Sequence, residues 1–131
     1  MFLDTSGFLC FLDRRDRRHT EALRRYQNAR VRLTSNYVLA EYVALAHVRR
    51  LPRQQILDFS KTILADLEVE IVWIDEDLHR KAVELLLARA DKTYSLCDAV
   101  SFVLMRERGI IEALTTDRHF EQEGFVRLLK P

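Results

Sequence analysis

Phe2-Leu-Asp-Thr-Ser-Gly7 is a short apolar run that ends in an aspartate and leads into a stretch with helical patterning. The run predicts a buried β-strand over Met1–Asp4, and the following pattern predicts a helix over Gly7–Leu12. Asp4 then closes the strand at its carboxyl end. The same alternation of a short apolar run with a longer helical pattern continues along the chain, and it decides the fold class.

Further apolar runs predict strands over Val31–Thr34, Glu70–Ile74, Glu112–Thr115 and Val126–Leu129. The longer helical patterns between them cover His19–Arg30, Tyr37–Arg50, Arg53–Leu67, Asp77–Ala90 and Ser95–Arg108. Strands separated by helices predict an α/β fold of three layers, with a parallel sheet between two layers of helices. No stretch has the composition of a linker, so we expect one domain over residues 1–131.

The composition excludes some classes of protein. The 48% hydrophobic and 31% charged residues are typical of a globular domain, and the net charge of +1 gives no overall attraction to nucleic acid. No apolar run reaches the roughly 18 residues that span a membrane. Cys10 and Cys97 lack metal-binding spacing, which favours reduced, buried thiols in a cytoplasmic protein.

The basic residues are biased towards arginine, which makes up 17 of the 21, and eight of these lie between Arg14 and Arg32. Arginine suits bidentate contacts with phosphate. However, Asp13, Asp16 and Glu21 are interleaved with these arginines. Two interpretations of this segment therefore stay open, a phosphate-binding surface and a solvated helix face.

Glu41 is the one charged residue in the apolar segment Asn36–Ala46. On a helix, Tyr37 and Leu45 lie one turn to either side of it, so Glu41 occupies the centre of an apolar stripe. The segment is apolar nearly all round, which predicts a buried helix. An unpaired carboxylate there would cost several kcal/mol or take up a proton. Glu41 therefore needs a partner.

Three aspartates occupy comparable positions. Asp4 and Asp117 each follow a predicted strand, where either alone is explained as a turn or N-cap residue. Asp98 lies in an apolar helical run and is explained by the helix dipole with Ser95 as the cap. Glu41 lies in the middle of its helix and has no such explanation.

A divalent cation would account for all four carboxylates together. Converging carboxylates repel one another and have raised pKa values unless a cation neutralises them. Oxygen ligands without a cysteine and histidine set favour Mg²⁺ or Mn²⁺. Such a centre activates water and supports phosphodiester cleavage. A metal-dependent nuclease is therefore one hypothesis for the pattern, which the spacing alone does not prove.

The ordered motifs Asp4-Thr5-Ser6, Leu39-Ala40-Glu41, Ser95–Phe102 and Leu114–Phe120 resemble those of PIN-domain ribonucleases. Among these, the chain is similar to the VapC-type toxins of bacterial and archaeal toxin–antitoxin pairs. Each motif is weakly specific alone, but their order and spacing in a chain of this length are strongly specific. The resemblance implies a five-stranded sheet in the order 3-2-1-4-5, which places strands one and four side by side.

The resemblance also implies the site residues. It assigns the catalytic and metal-binding carboxylates to Asp4, Glu41, Asp98 and Asp117. We expect Asp4 and Asp98 to bind the principal Mg²⁺ or Mn²⁺ directly, with Glu41 and Asp117 completing its outer coordination or holding a second ion. One carboxylate assists deprotonation of the attacking water. Ser6 and Thr115 match supporting hydroxyl positions that hold a carboxylate or metal-bound water.

The implied partners are an RNA substrate, cut in single-stranded or loop regions, a cognate VapB-type antitoxin and a second copy of the chain. Apolar side chains on the helices between Tyr37 and Leu67 could serve either protein contact. Arg118 and His119 follow Asp117 directly and could contact substrate phosphate, but a surface turn residue is the favoured interpretation of His119. Trp73 and Phe102 are interpreted as packing residues, and Cys97 as a small core residue.

Other classes remain as alternatives. A PIN-domain nuclease could have an RNA-processing role instead of a toxin role, and a non-catalytic interaction module is also open. A receiver-type signalling domain needs an acidic pair after the first strand and a phospho-acceptor after the third, where Asp75 is better explained as a helix N-cap. A haloacid-dehalogenase-type phosphatase needs a second aspartate two residues after Asp4, where Ser6 stands.

Overall fold

The structure, a computed structural model, describes all 131 residues. Its parallel five-stranded sheet has the order β3-β2-β1-β4-β5. The strands are β1 (Phe2–Leu3), β2 (Leu33–Ser35), β3 (Glu70–Val72), β4 (Glu112–Leu114) and β5 (Val126–Arg127). The predicted fold class and strand order are confirmed. Each predicted strand is present, although all five are shorter than the apolar runs.

The helices are α1 (Thr5–Leu12), α2 (His19–Asn28), α3 (Asn36–Val48), α4 (Arg53–Ala65), α5 (Glu76–Ala88), α6 (Leu96–Arg108) and α7 (Arg118–Gln122). The chain moves outward from β1 to β2 and β3, and then crosses back to β4 and β5. Because parallel crossovers are right-handed, this reversal places α1–α4 and α5–α7 on opposite faces of the sheet. No helix is long and apolar enough to cross a membrane.

The reversal of strand order places β1 between β2 and β4. Phe2 pairs with Leu33 of β2 and with Ala113 of β4, and Leu3 pairs with Leu114. Helix α1 lies directly over β4, because a Cβ atom at Gly7 would be only 2.0 Å from the carbonyl oxygen of Leu114. Only glycine permits this contact. The carboxyl ends of β1 and β4 are therefore held side by side.

The prediction that α3 is buried is wrong. Only one face of this helix is covered, and it carries Val38, Tyr42 and Ala46. On the stripe that contains Glu41, Leu45 is 40% exposed and Val48 is 73% exposed. Helix α3 thus carries more apolar side chains than its neighbours in a single chain can bury. Glu41 itself is half-buried.

Two interpretations of smaller features also need revision. Trp73 follows β3 and is 66% exposed, so it does not pack in the core as expected. Cys10 and Cys97 are both free thiols, but only Cys10 is buried and Cys97 is half-buried. Phe102 is fully buried, as expected for a packing residue.

Candidate active site

Asp4 lies at the carboxyl end of β1, in the N-cap position of α1. Its backbone is extended, with φ −92° and ψ 162°, but its side chain makes no capping hydrogen bond. Instead its Oδ2 atom accepts hydrogen bonds from Ser6 Oγ at 3.0 Å and from Thr115 Oγ1 at 2.7 Å. The capping explanation therefore fails for this side chain, which is held towards the loop after β4.

The two hydroxyls that hold Asp4 are themselves oriented by the backbone of that loop. The amide of Thr116 donates to Ser6 Oγ at 2.9 Å, and the amide of Asp117 donates to Thr115 Oγ1 at 3.0 Å. Each hydroxyl accepts from an amide and has a single proton to donate. Both protons can therefore point at Asp4, which fixes the orientation of its carboxylate.

Asp4 is only 4% exposed, and burial of its carboxyl group raises the pKa to about 7. Hydrogen bonds from Thr115, the backbone of Thr5 and Ser6 act in the opposite direction, while the charge of Asp98 raises the pKa further. The ionised form of Asp4 thus lacks a compensating positive charge. A bound cation would supply that charge.

Asp98 has both a capping role and a position beside the other acids. It forms a capping box with Ser95, in which the Asp98 amide donates to Ser95 Oγ at 3.0 Å and the Ser95 amide donates to Asp98 Oδ2 at 3.0 Å. Burial raises the pKa of Asp98, and the nearby charge of Asp117 raises it further. The backbone of Ser95 and the side chain of His119 partly oppose this shift.

Asp117 caps the short helix α7, because its Oδ1 atom accepts a hydrogen bond from the His119 amide at 2.9 Å. Its side chain is 33% exposed. The explanations of Asp98 as a first-turn acid capped by Ser95 and of Asp117 as an N-cap are therefore correct, yet neither excludes a role at the site. In both cases the cap fixes a carboxylate at the carboxyl edge of the sheet.

Glu41 reaches the site through the Cys97 thiol. Burial raises the pKa of this thiol, and the next causes are the charges of Glu41, Asp4 and Asp98 together with a hydrogen bond to Glu41. Cys97 thus lies among three of the four expected carboxylates, although the sequence suggested only a core residue. Glu41 forms no ion pair and accepts no hydrogen bond from an amide or hydroxyl group.

His119 lies at the site, although the sequence favoured a surface turn residue over a phosphate contact at this position. Its Nδ1 atom is 3.0 Å from Asp98 Oδ2 and 3.4 Å from Asp117 Oδ1, and its Nε2 atom is 3.2 Å from Thr93 Oγ1. Its ring packs edge-on against Tyr94, with 5.2 Å between the ring centroids. The interpretation as a surface turn residue is wrong. The sequence did contain an indication of this contact. His119 follows the capping residue Asp117 by two positions, and the first turn of a helix brings such residues together.

The predicted site residues are not all equally close to one another. Ligand atoms of Asp98, Asp117 and His119 all lie within 4.8 Å of one another and could hold a metal ion. Asp4 and Glu41 lie outside that tight group. The charge of Asp98 raises the pKa of Asp4, whereas Glu41 and Asp98 both act on the Cys97 thiol. None of the four acids forms an ion pair with arginine or lysine. This uncompensated set of oxygen donors fits a hard divalent cation.

A buried ion-pair network supports the site from behind. The Glu123 side chain is 2% exposed and accepts from Arg89 Nε at 2.7 Å and from Arg106 Nη2 at 2.5 Å. The Tyr94 hydroxyl also donates to Glu123, at 3.3 Å. Burial alone would raise the pKa of Glu123, but the hydrogen bonds from the two arginines outweigh it and lower the pKa. This network fixes the tyrosine ring that packs against His119.

The chain is also similar to known proteins. The family model described as "PIN domain" matches residues 1–125. The 23S rRNA-specific endonuclease VapC20 of Mycobacterium tuberculosis, from strains CDC 1551 / Oshkosh and H37Rv, is 33% identical over 129 residues, which is 98% of this chain and 97% of the relative. The crystal structure of Mycobacterium tuberculosis VapC20, described as a sarcin-ricin loop cleaving toxin, superposes with a TM-score of 0.89 at 33% identity, covering 99% of this chain and 98% of that one.

Proposed function

The chain belongs to the PIN domain family, and we propose that it is a single-domain, metal-dependent endoribonuclease that acts as the toxin of a VapBC-type toxin–antitoxin pair. The observation that carries this proposal is the group of carboxylates at the carboxyl edge of β1 and β4, none of which is paired with arginine or lysine. The similarity to an rRNA endonuclease along nearly the whole chain supports the same conclusion.

The proposed substrate is a structured RNA with an accessible loop. The relative VapC20 is named as specific for 23S rRNA and described as cleaving the sarcin-ricin loop. We take that loop as the first substrate to test. A loop also suits an acidic cleft, since unpaired nucleotides can enter a site that a rigid duplex cannot.

The proposed cation is Mg²⁺ or Mn²⁺, held by Asp4 and Asp98 with Glu41 and Asp117 completing the coordination. When bound, such an ion lowers the pKa of water and stabilises negative charge on phosphodiester oxygens. His119 contacts both Asp98 and Asp117. Its Nδ1 atom is placed to orient both carboxylates.

The remaining roles belong to the side chains of this chain. Ser6 and Thr115 orient the Asp4 carboxylate, and Ser95 orients that of Asp98. Among the four acids, Glu41 alone accepts no hydrogen bond from an amide or hydroxyl group. We therefore assign to Glu41 the role of general base, which removes a proton from the attacking water. A general base needs an available lone pair within reach of that proton.

A VapB-type antitoxin and a second copy of the chain are the proposed protein partners. Helices α3 and α4 carry exposed apolar side chains, including Val48 at 73% and Leu64 at 54% exposure. Apolar surface of this kind supports a partner contact. Because the proposed RNA substrate and the proposed antitoxin are both found in the cytoplasm, we propose a cytoplasmic location for the protein.

The test is cleavage of an RNA hairpin carrying the sarcin-ricin loop, measured with Mg²⁺, with Mn²⁺ and with EDTA. Asp4→Asn and Asp98→Asn should each abolish metal-dependent cleavage and leave the circular dichroism spectrum unchanged. Asp77→Asn is the matched control, because Asp77 is exposed on α5 and pairs only with Lys81. Undiminished cleavage by either site variant would overturn the assignment. Growth arrest on expression, relieved by an adjacent small reading frame, separates a toxin from an RNA-processing nuclease.

A further inference from the structure

The arginine-rich part of the sequence divides into two parts in the structure. In α2, Arg24 and Arg25 both pair with Glu21, at 2.7 Å each. This part of the segment matches the interpretation as a solvated helix face. The arginines of the α1–α2 connection are different, because they lie beside the α3–α4 connection. Residues of both connections, among them Arg14 and Arg50, line one groove of about 380 Å³.

We call this region the arginine surface. It consists of the arginines in and next to the two connections: Arg14, Arg15, Arg17, Arg18, Arg49, Arg50 and Arg53. Eight arginines of the chain make neither an ion pair nor a side-chain hydrogen bond, and six of the eight lie on the arginine surface. Arg15 is the exception there, since it pairs with Asp13 at 3.2 Å. Arg18 has a buried Nε atom without a partner.

The two acids of this region are occupied by the backbone of the loop. Asp13 accepts from the Arg15 amide at 3.0 Å, and Asp16 accepts from the Arg18 amide at 2.7 Å. They fold the connection and leave most of the guanidinium charge uncompensated. Seven arginines against two aspartates concentrate positive charge here, in a chain with a net charge of only +1.

Arg50 adds a conformational argument. It has a φ of 60°, in the left-handed region, at the C-terminal end of α3. The Arg50 amide donates to the His47 carbonyl at 3.0 Å, and the Leu51 amide donates to the Ala46 carbonyl at 3.1 Å. Glycine is favoured at such a position, and a larger residue costs about 1 kcal/mol. A strained position that holds arginine instead of glycine is consistent with a functional role for the guanidinium group.

The arginine surface and the carboxylates are joined by two rigid helices. Asp4 precedes α1 and Arg14 follows it, while Glu41 lies in the middle of α3 and Arg49 follows that helix. Eight helical residues rise about 12 Å, so each path places the surface on the order of 12 Å along a helix from the acids. A structured RNA loop is large enough to extend over such a distance.

We propose that the arginine surface binds phosphates of the RNA substrate on one side of the cleavage site. This inference rests on the proposed function. Guanidinium groups bind phosphate in a bidentate manner, and uncompensated arginines release counterions when they do so. None of the exposed large apolar side chains lies within residues 13–18 or 49–52. Val48 borders this surface and is 73% exposed, but the exposed side chains within the two connections are almost all arginine, which suits phosphate better than a protein partner.

The experiment measures RNA binding without cleavage. The parent is the Asp98→Asn protein, and the quadruple variant adds the changes of Arg14, Arg17, Arg49 and Arg50 to Gln. Both proteins are titrated, in EDTA, with a fluorescent sarcin-ricin hairpin at several salt concentrations. The slope of log K against log salt should fall by about 0.7 to 0.9 for each lost phosphate contact. The affinity at 0.1 M salt should fall by at least tenfold.

The matched control changes the paired residues Arg24, Arg25, Arg80 and Arg108 to Gln, which removes the same net charge. It should keep a slope close to that of the parent protein, and both variants should keep the parent's melting temperature within a few degrees. Arg50→Gly, which suits the left-handed φ, repeats the test at one position without risk to the fold. With active protein and Mn²⁺, the quadruple change should raise KM and leave kcat unchanged.

Equal slopes and equal affinities for the quadruple variant and its parent would overturn the proposal. Unchanged RNA binding with lost binding of a co-expressed antitoxin would also overturn it and assign the surface to a protein. Because binding is measured with EDTA and a non-cleaving variant, the result is independent of catalysis. Arginine-dependent binding without any cleavage by the unaltered protein would sink the proposed function and leave this inference intact.

Discussion

The hydroxyl of Thr115 donates a 2.7 Å hydrogen bond to Oδ2 of Asp4, although the two residues are 111 positions apart in the chain. This contact joins the carboxyl ends of β4 and β1. It also holds the most deeply buried acid of the site in one orientation. The Thr115 hydroxyl in turn accepts from the amide of Asp117, so one side chain connects two of the proposed metal-binding residues.

Thr115→Val should weaken divalent-cation binding with little change in fold. Valine has nearly the same shape, but it removes the hydrogen bond that favours the ionised form of Asp4. A hydrogen bond to a charged group is worth about 1.5–3 kcal/mol, so the affinity for Mn²⁺ at pH 7 should fall on the order of tenfold or more. Isothermal titration calorimetry checks this, with Thr62→Val on α4 as the control. Equal Mn²⁺ affinities for the two variants would contradict the role given to Thr115.

The metal-free protein should lose stability as the pH rises from about 4 to 7. Burial raises the pKa of Asp4 from its ordinary value of 3.8 to about 7, so the folded state binds more protons than the unfolded state in that window. The free energy of unfolding then falls with pH, by up to about 1.4 kcal/mol per pH unit for this group, and levels off above pH 7.

Urea denaturation in EDTA at pH 5 and pH 7.5 measures this effect. Asp4→Asn is the reference, because asparagine does not titrate and other groups, including Asp98, contribute to both proteins. The difference in unfolding free energy between the two proteins should change with pH in the stated direction. A constant difference would show that the Asp4 carboxyl titrates at its ordinary pKa.

Glu41→Gln should leave the metal-free protein as stable as before, or more stable. Glu41 has no ion-pair partner, and its charge adds to that of Asp4 and Asp98 around Cys97. Glu123→Gln is the matched comparison, because Glu123 is buried between Arg89 and Arg106. Breaking that network should cost about 3–5 kcal/mol. Urea denaturation of both variants tests the contrast, and a comparable loss for Glu41→Gln would mean that its carboxylate is structural.

His119→Ala should reduce RNA cleavage by about 10- to 100-fold, the usual effect of removing a group that orients a metal-binding carboxylate. Donation from His119 Nδ1 to Asp98 needs the proton on that nitrogen, which leaves Nε2 to accept from the Thr93 hydroxyl. His119→Asn keeps a donor near the Nδ1 position and should retain more activity and more Mn²⁺ affinity than alanine. Equal losses for the two variants would indicate that the ring serves only to pack against Tyr94.

Much of the fold follows from local patterns. Each predicted strand and helix is present, and the bounds differ by a few residues because a strand ends where its hydrogen-bonded neighbour ends. Asp4 and Asp117 were identifiable as strand-end acids, and Ser95 as the N-cap of the helix that carries Asp98. Glu123 was not identifiable, since nothing nearby in the sequence indicates that Arg89 and Arg106 converge on it.

The sequence by itself determined the order of strands and helices, since the periods of apolar residues differ between the two and are read locally. It also placed acids at the strand ends. Only the tertiary structure decided which face of α3 is covered, that His119 contacts Asp98, and that the Thr115 hydroxyl points at Asp4. The physical reason is that burial and hydrogen bonding depend on the neighbours that packing supplies. A helix that is apolar nearly all round, such as α3, does not itself specify the side on which those neighbours lie.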